Sequence, residues 1–193
     1  MVAVIEGSKD VDQLESVTTV DDIAANYAHL TNCDPYRDML FAEIDGEVIA
    51  YSRVFWEQET KGDRIYFHFG FLLPKWRRRR IGSAMLHQCE RRLLEIAKEH
   101  AYHGKCFFRT FAADTELGKQ ALHSAEGYKP VRYESQMVRS FDEEIPALEL
   151  PDGIEIQPVE GGQIRQIWEA HVEAFRDHWG FTEPTEQDYL SWQ

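Results

Sequence analysis

Residues 72–86 read LLPKWRRRRIGSAML, and the reading of this stretch decides the rest. An apolar, strand-like run ends at Pro74. Four arginines follow, Arg77 to Arg80, and Ile81-Gly82-Ser83 opens a helical pattern. The N-terminus of a helix already carries about half a positive charge, so arginine there is unfavourable by roughly 0.3–1 kcal/mol. The arrangement is favourable when an anion sits at the same place. The first backbone N–H groups of a helix have no partner within it. A phosphate satisfies several of them at once, and guanidinium forks add charge-assisted bonds. Gly82 and Ser83 keep the approach open. A solvated basic patch or an import-like basic run is the competing explanation. Placement between a β-rich run and the best helix in the chain favours the anion site.

Outward from this stretch, an α/β order emerges. Thr19-Val20-Asp21-Asp22 carries the spacing of a helix start, with a helix running to about His29. Met39–Ile44 and Glu47–Glu57 flank Asp45-Gly46, a strong hairpin signal. After Lys61-Gly62-Asp63, the aromatic run Arg64–Leu73 reads as a buried strand. Gly82 to about His100 shows an apolar stripe through Met85, Cys89, Leu93 and Ile96. Lys105–Ala112 reads as a strand, Thr115–Ser124 as a short helix and Tyr128–Met137 as a returning strand. Residues 1–18 carry no clear signal. This order predicts a mixed, mostly antiparallel sheet flanked by helices.

The 193 residues carry a formal net charge of −13. From Asp142 to Gln193 there are 13 acidic and 2 basic residues, so that segment holds −11 of the total. An acidic surface argues against nucleic acid as a partner. No apolar run approaches the ~18 residues of a membrane span, and the N-terminus lacks the pattern of a signal peptide. Three scattered cysteines point to a reduced, cytoplasmic setting. His171 and His178 lack a third ligand at useful spacing, so no metal site is expected.

The stretch Leu72-x-Pro74-x-x-Arg77-Arg78-Arg79-Arg80-Ile81-Gly82-Ser83-Ala84 resembles the acetyl-CoA-binding motif of the GNAT N-acetyltransferases. Arg77 matches the motif's first position and Gly82 its last, while Arg80 stands where the family usually has glycine. Ala121 to Pro130, with Gly127-Tyr128, is similar to the helix and turn further along that family. The resemblance covers roughly residues 20–140. It implies acetyl-CoA as cosubstrate, with the main chains of Leu72 and Leu73 meeting the pantetheine arm between two splayed strands. It places the pyrophosphate at Arg77, Arg78, Arg79, Arg80, Gly82 and Ser83. Gly70 is either a bulge that starts the splay or a point of crowding.

Acetyl transfer needs a neutral amine, a donor to the oxyanion and an acid for the thiolate. Where many relatives place the acid tyrosine, this chain has His123. Where they place a carboxylate base, it has His68. Each could equally be a packing residue, and Glu57 and Tyr51 are weaker alternatives. The resemblance implies transfer to a primary amine of a small molecule or peptide. A catalytically weak CoA-binding module is the runner-up, and a nucleic-acid binder the third reading.

The expected organisation is a GNAT unit over 1–145, a linker over 146–152 and a partial second unit over 153–193. Residues 173–181 resemble the opening of the second domain in tandem GNAT proteins such as mycothiol synthase. Here 153–159 reads as a strand and 164–178 as a helix. By that alignment the chain begins inside its first unit's opening helix and is either a fragment or rearranged. The first unit is then expected to lack its edge strand and first helix. The tail has two ways to dock in their place, within the chain or across a homodimer.

Overall fold

The computed structural model describes residues 1–15, 17–147 and 149–193. Ser16, in the stretch without a clear signal, and Leu148, in the expected linker, lie outside the described residues. The elements are helices α1 (Val2–Asp12) and α2 (Val20–Ala28), then strands β1 (Met39–Ile44), β2 (Glu47–Gln58) and β3 (Arg64–Leu72). Helix α3 (Ile81–His100), strand β4 (Cys106–Arg109) and helix α4 (Leu117–Ala125) follow. Helices α5 (Ile164–Phe175) and α6 (Glu186–Trp192) form the tail. The sheet runs β1-β2-β3-β4, with the first two pairings antiparallel and β3–β4 parallel.

Local chemistry accounts for these elements. Asp45 and Gly46 both take positive φ, 52° and 80°, the backbone of a two-residue hairpin turn. Thr19 and Asp22 close a reciprocal cap at the start of α2, as their spacing predicts. Gly127 exits α4 at φ +88°.

Alternation along the strands builds a layer on each face. Val54 and Tyr66 pack with Cys89, Leu93 and Ile96 of α3. Tyr51 packs on the other face with Val4 and Ile5 of α1, joined by Ile23, Phe69 and Phe71. Helix α1 thus supplies the first helix that the sequence reading expects to be missing. Its pattern was hidden because Met1 gives no side-chain cap and Gly7 interrupts it. Glycine costs a helix about 1 kcal/mol, but a Cβ at Gly7 would lie 2.6 Å from Leu73 Cδ2.

Two expected strands do not form. Among the described residues, neither 128–141 nor 153–159 is a strand. Val131, Tyr133 and Met137 are 74–87% exposed. β-propensity expresses fit to a neighbouring strand, and β4 offers a ladder of four residues. Pro130 and Pro158 each remove a donor as well. Gly70 is not a bulge: register runs unbroken from Gln58↔Arg64 to Ala50↔Leu72. A Cβ there would lie 3.1 Å from both Ser52 Cβ and Tyr51 O, so close approach of β2 explains the glycine.

Part of the tail meets the body of the chain. Glu59 bridges Thr182, and Thr60 N donates to Phe181 O at 3.0 Å. Trp179 lies between the guanidinium groups of Arg109 and Arg132, 4.4 and 5.0 Å from its ring. No helix among the described residues is long and apolar enough to cross a membrane.

Candidate functional site

Strands β3 and β4 pair from Arg64↔Cys106 to Phe67↔Arg109 and then part. Leu73 N donates to Ile49 O, which turns the odd residues of β3 toward β2 and the even ones toward β4. Past the split, Gly70 therefore presents both main-chain groups, and Leu72 its N–H, to a gap. A cleft of about 540 Å³ fills this gap and reaches the start of α3. His68, Gly70, Leu72, Arg77, Arg78, Arg80, Gly82, Ser83 and His123 all line it, as does Asp12.

The anion end is built mainly from backbone. Helix α3 begins after Arg80 with no side-chain cap. Among the described residues, no protein acceptor meets the amides of 78–83. Arg78 and Arg80 have φ of 62° and 64°, and the left-handed residue before the helix turns successive N–H groups into an anion-binding concavity. Arg80, placed where glycine is usual, adopts the conformation that glycine favours. A Cβ at Gly82 would enter between Leu122 and Leu72, 3.4 and 4.0 Å from their Cδ2 atoms.

The side chains of the basic block divide. Arg77 forks onto Asp12 with both contacts at 2.6 Å, and its Nε donates to Leu72 O at 3.1 Å. Arg79 lies 4.7 Å over the Trp76 ring. Lys75 pairs with Glu47. Arg77, Arg78 and Arg80 all border the cleft, but the Arg77 guanidinium is already engaged by Asp12 and Leu72 O. The block is therefore not a free basic patch, and the Arg77 fork is directed inward. Leu73 is also directed away, since its N–H serves β2 and it does not line the cleft.

At the other end, the two histidines meet. Their rings stack with centroids 5.4 Å apart. His68 is 4% exposed, and its Nε2 lies 2.9 Å from Tyr128 Oη. That phenol donates to Glu90 Oε1, also at 2.9 Å. A phenol has one proton, so its oxygen accepts from His68 Nε2–H, leaving Nδ1 with the lone pair. His123 Nδ1 lies 2.8 Å from Lys119 O, a group that only accepts, so His123 carries its lone pair on Nε2. Burial, with His123 and Lys119 nearby, pushes the His68 pKa down to about 3. Burial also lowers that of His123. Both rings are neutral at pH 7. This arrangement favours a proton acceptor at His123 over the donor expected from the sequence.

Glu90 escaped the sequence reading because it neighbours Cys89 on an amphipathic helix and reads as a surface residue. Glu57 and Tyr51 do not line the cleft. Cys33, Cys89 and Cys106 are free thiols. No group of three or more metal-ligating side chains occurs among the described residues.

The family model of the acetyltransferase (GNAT) family matches residues 10–124. The chain belongs to that family. GNAT enzymes are acyltransferases whose cosubstrate is acetyl-CoA, and the cleft, the free amides and the Gly82 cradle fit that group. The fold is also similar to a GCN5-related N-acetyltransferase from Sphaerobacter thermophilus, at 20% identity and a TM-score of 0.66. That match covers 90% of this chain, which spans 54% of the Sphaerobacter chain. A predicted acetyltransferase with acetyl-CoA from Clostridium acetobutylicum matches at 18% identity and a TM-score of 0.49, covering 71% of this chain and 86% of that one. An aminoglycoside antibiotic 6'-N-acetyltransferase from Acinetobacter haemolyticus matches at 19% identity and a TM-score of 0.44, covering 72% and 96%. No curated protein matches the chain.

Proposed function

We propose that this GNAT chain transfers an acetyl group from acetyl-CoA to a primary amine of a small molecule or peptide by direct attack, in the cytoplasm. One observation carries the reading: a cleft between parting strands ends at uncapped amides of the longest helix. When bound, acetyl-CoA supplies an activated thioester. The amides of 78–83 and the side chains of Arg78 and Arg80 hold its phosphates. Gly70 and Leu72 meet its amide-bearing arm. Phe69 and Phe71 line the gap and exclude water. His123 takes the amine proton at Nε2, and Tyr128 with Glu90 fixes the tautomer of His68 beside it.

A thiol-release assay with acetyl-CoA over a panel of amines tests this reading. Release that depends on one amine class supports it. CoA binding without release from any amine favours the runner-up, a catalytically weak CoA-binding module. The observation behind that second reading is the depressed pKa of both histidines, which makes them weak bases.

Residues 1–145 are read as the acetyltransferase unit, 146–152 as a linker and 153–193 as the opening of a second GNAT-like unit in a tandem, mycothiol synthase-like arrangement. Repetition supports this: Thr185 and Asp188 close the same reciprocal cap on α6 as Thr19 and Asp22 on α2. Analytical ultracentrifugation separates docking within one chain from a homodimer.

A further inference from the structure

The anion loop has an unfavourable backbone, and its support comes from outside it. Left-handed conformation is unfavourable for a non-glycine residue, and Arg78 and Arg80 both adopt it. Such residues persist only where the surroundings hold them. The strongest hold on this loop is Arg77, which begins it. All three guanidinium nitrogens point inward: Nη1 and Nη2 to the two Asp12 oxygens, Nε to Leu72 O.

Asp12 is oddly placed for its own helix. It is the last residue of α1, where the macrodipole disfavours a carboxylate. It is also only 6% exposed, and burying a charge is costly unless it is paired. Nothing in α1 rewards an acid at this position. Its partner is Arg77, 65 residues further along the chain. Ser8, one turn earlier and fully buried, donates to Val4 O at 3.0 Å and places its hydroxyl 3.4 Å from the same Leu72 carbonyl. The inner face of α1 thus converges on the point where β3 gives way to the loop.

We infer that Asp12 is a positioning residue for the cofactor site. Through Arg77 it fixes the loop that offers the amides of 78–83, and the Arg77 guanidinium stays off the phosphates. The motif's first arginine thereby acts as a brace, and Arg78 and Arg80 are the side chains left for the ligand. This inference rests on the reading that the cleft binds CoA.

Calorimetric titration of the full chain with CoA tests it, using the wild type, Asp12→Asn, Arg77→Met and the double variant. Each single change weakens CoA binding about tenfold. The double variant loses no more than either single one, because both remove the same support. In turnover, KM for acetyl-CoA rises while kcat at saturation holds. Arg77→Lys keeps the charge but loses the fork, and it weakens CoA as Arg77→Met does.

If Arg77 gripped the phosphates directly, Asp12→Asn would release it. CoA binding would then hold or tighten, and Arg77→Lys would retain affinity; either result overturns the inference. Should Asp12→Asn fail to fold, the lysine comparison decides alone. CoA binding that ignores both Asp12 and Arg77 overturns the inference and leaves the cofactor reading standing. A wild-type chain that binds no CoA overturns both.

Discussion

The Nε2–H of His68 donates to the phenol oxygen of Tyr128 across 2.9 Å. Because that phenol in turn donates to Glu90 of α3, the imidazole tautomer is set through a second residue that does not itself touch the ring. Tyr128→Phe removes the link without opening a large cavity. We expect kcat to fall at least tenfold while KM for acetyl-CoA stays within about twofold, an effect on proton handling and not on binding. Steady-state kinetics on the best amine of the panel provides the check. Glu90→Gln, which keeps an acceptor for the phenol, retains more activity than Tyr128→Phe.

His68 also makes stability depend on pH. Its folded pKa lies near 3, below the ordinary value of 6.5. The unfolded chain therefore takes up a proton that the folded chain refuses. The contribution is fully present above pH 6.5 and is lost as pH falls toward 3, with a limiting slope of about 1.4 kcal/mol per pH unit. In His68→Asn, the denaturation midpoint should fall less steeply over that window than in the wild type. Parallel curves would remove His68 as the cause.

Much of this site was legible in the sequence, and the parts that were not share a physical reason. The strand end at Leu72, the basic block and Gly82 announce an anion site, because local chemistry governs a helix start. The Asp45-Gly46 turn and the Thr19 cap were readable on the same grounds. What stayed hidden depends on contacts between distant segments. Asp12 pairs with Arg77, Glu90 with Tyr128, and Gly7 makes room for Leu73. Spacing along a chain carries no trace of such pairings. The expected strands at 128–137 and 153–159 failed for the converse reason: their composition suits a sheet that offers them no ladder.

Arg78 and Arg80 are exposed, and both flank the cleft. Replacing both with alanine should weaken CoA roughly tenfold or more, with a shallower dependence on salt. Gly82→Trp should abolish binding by filling the space between Leu122 and Leu72. Thermal shift with CoA at two ionic strengths distinguishes the two effects. Unchanged binding in both variants would move the anion site elsewhere.

Packing between strands makes Gly70 sensitive. Valine there must push against Ser52 Cβ and Tyr51 O, each 3.1 Å from the added Cβ. A loss of about 1–3 kcal/mol is expected, read as a lower urea midpoint at unchanged slope. Gly46→Asn, at a positive-φ turn with open space around it, should cost less than Gly70→Val.

Trp179 fastens the tail. Trp179→Ala removes its contacts with Arg109 and Arg132, each worth about 0.5–1 kcal/mol at a partly exposed position. Limited proteolysis should then cleave within 142–152 faster than in the wild type. If the wild type already loses everything beyond 153 rapidly, with the remainder intact, the docking is too weak to matter.

The cleft arises where a ladder stops, not where one has been prised apart. After Phe67 and Arg109 the two strands simply separate, so admitting a guest breaks no bond between them. An extended molecule with its own amides would meet main-chain groups of β3 that no neighbouring strand uses. Affinity drawn this way comes from the periodicity of the backbone, which side-chain substitution barely touches.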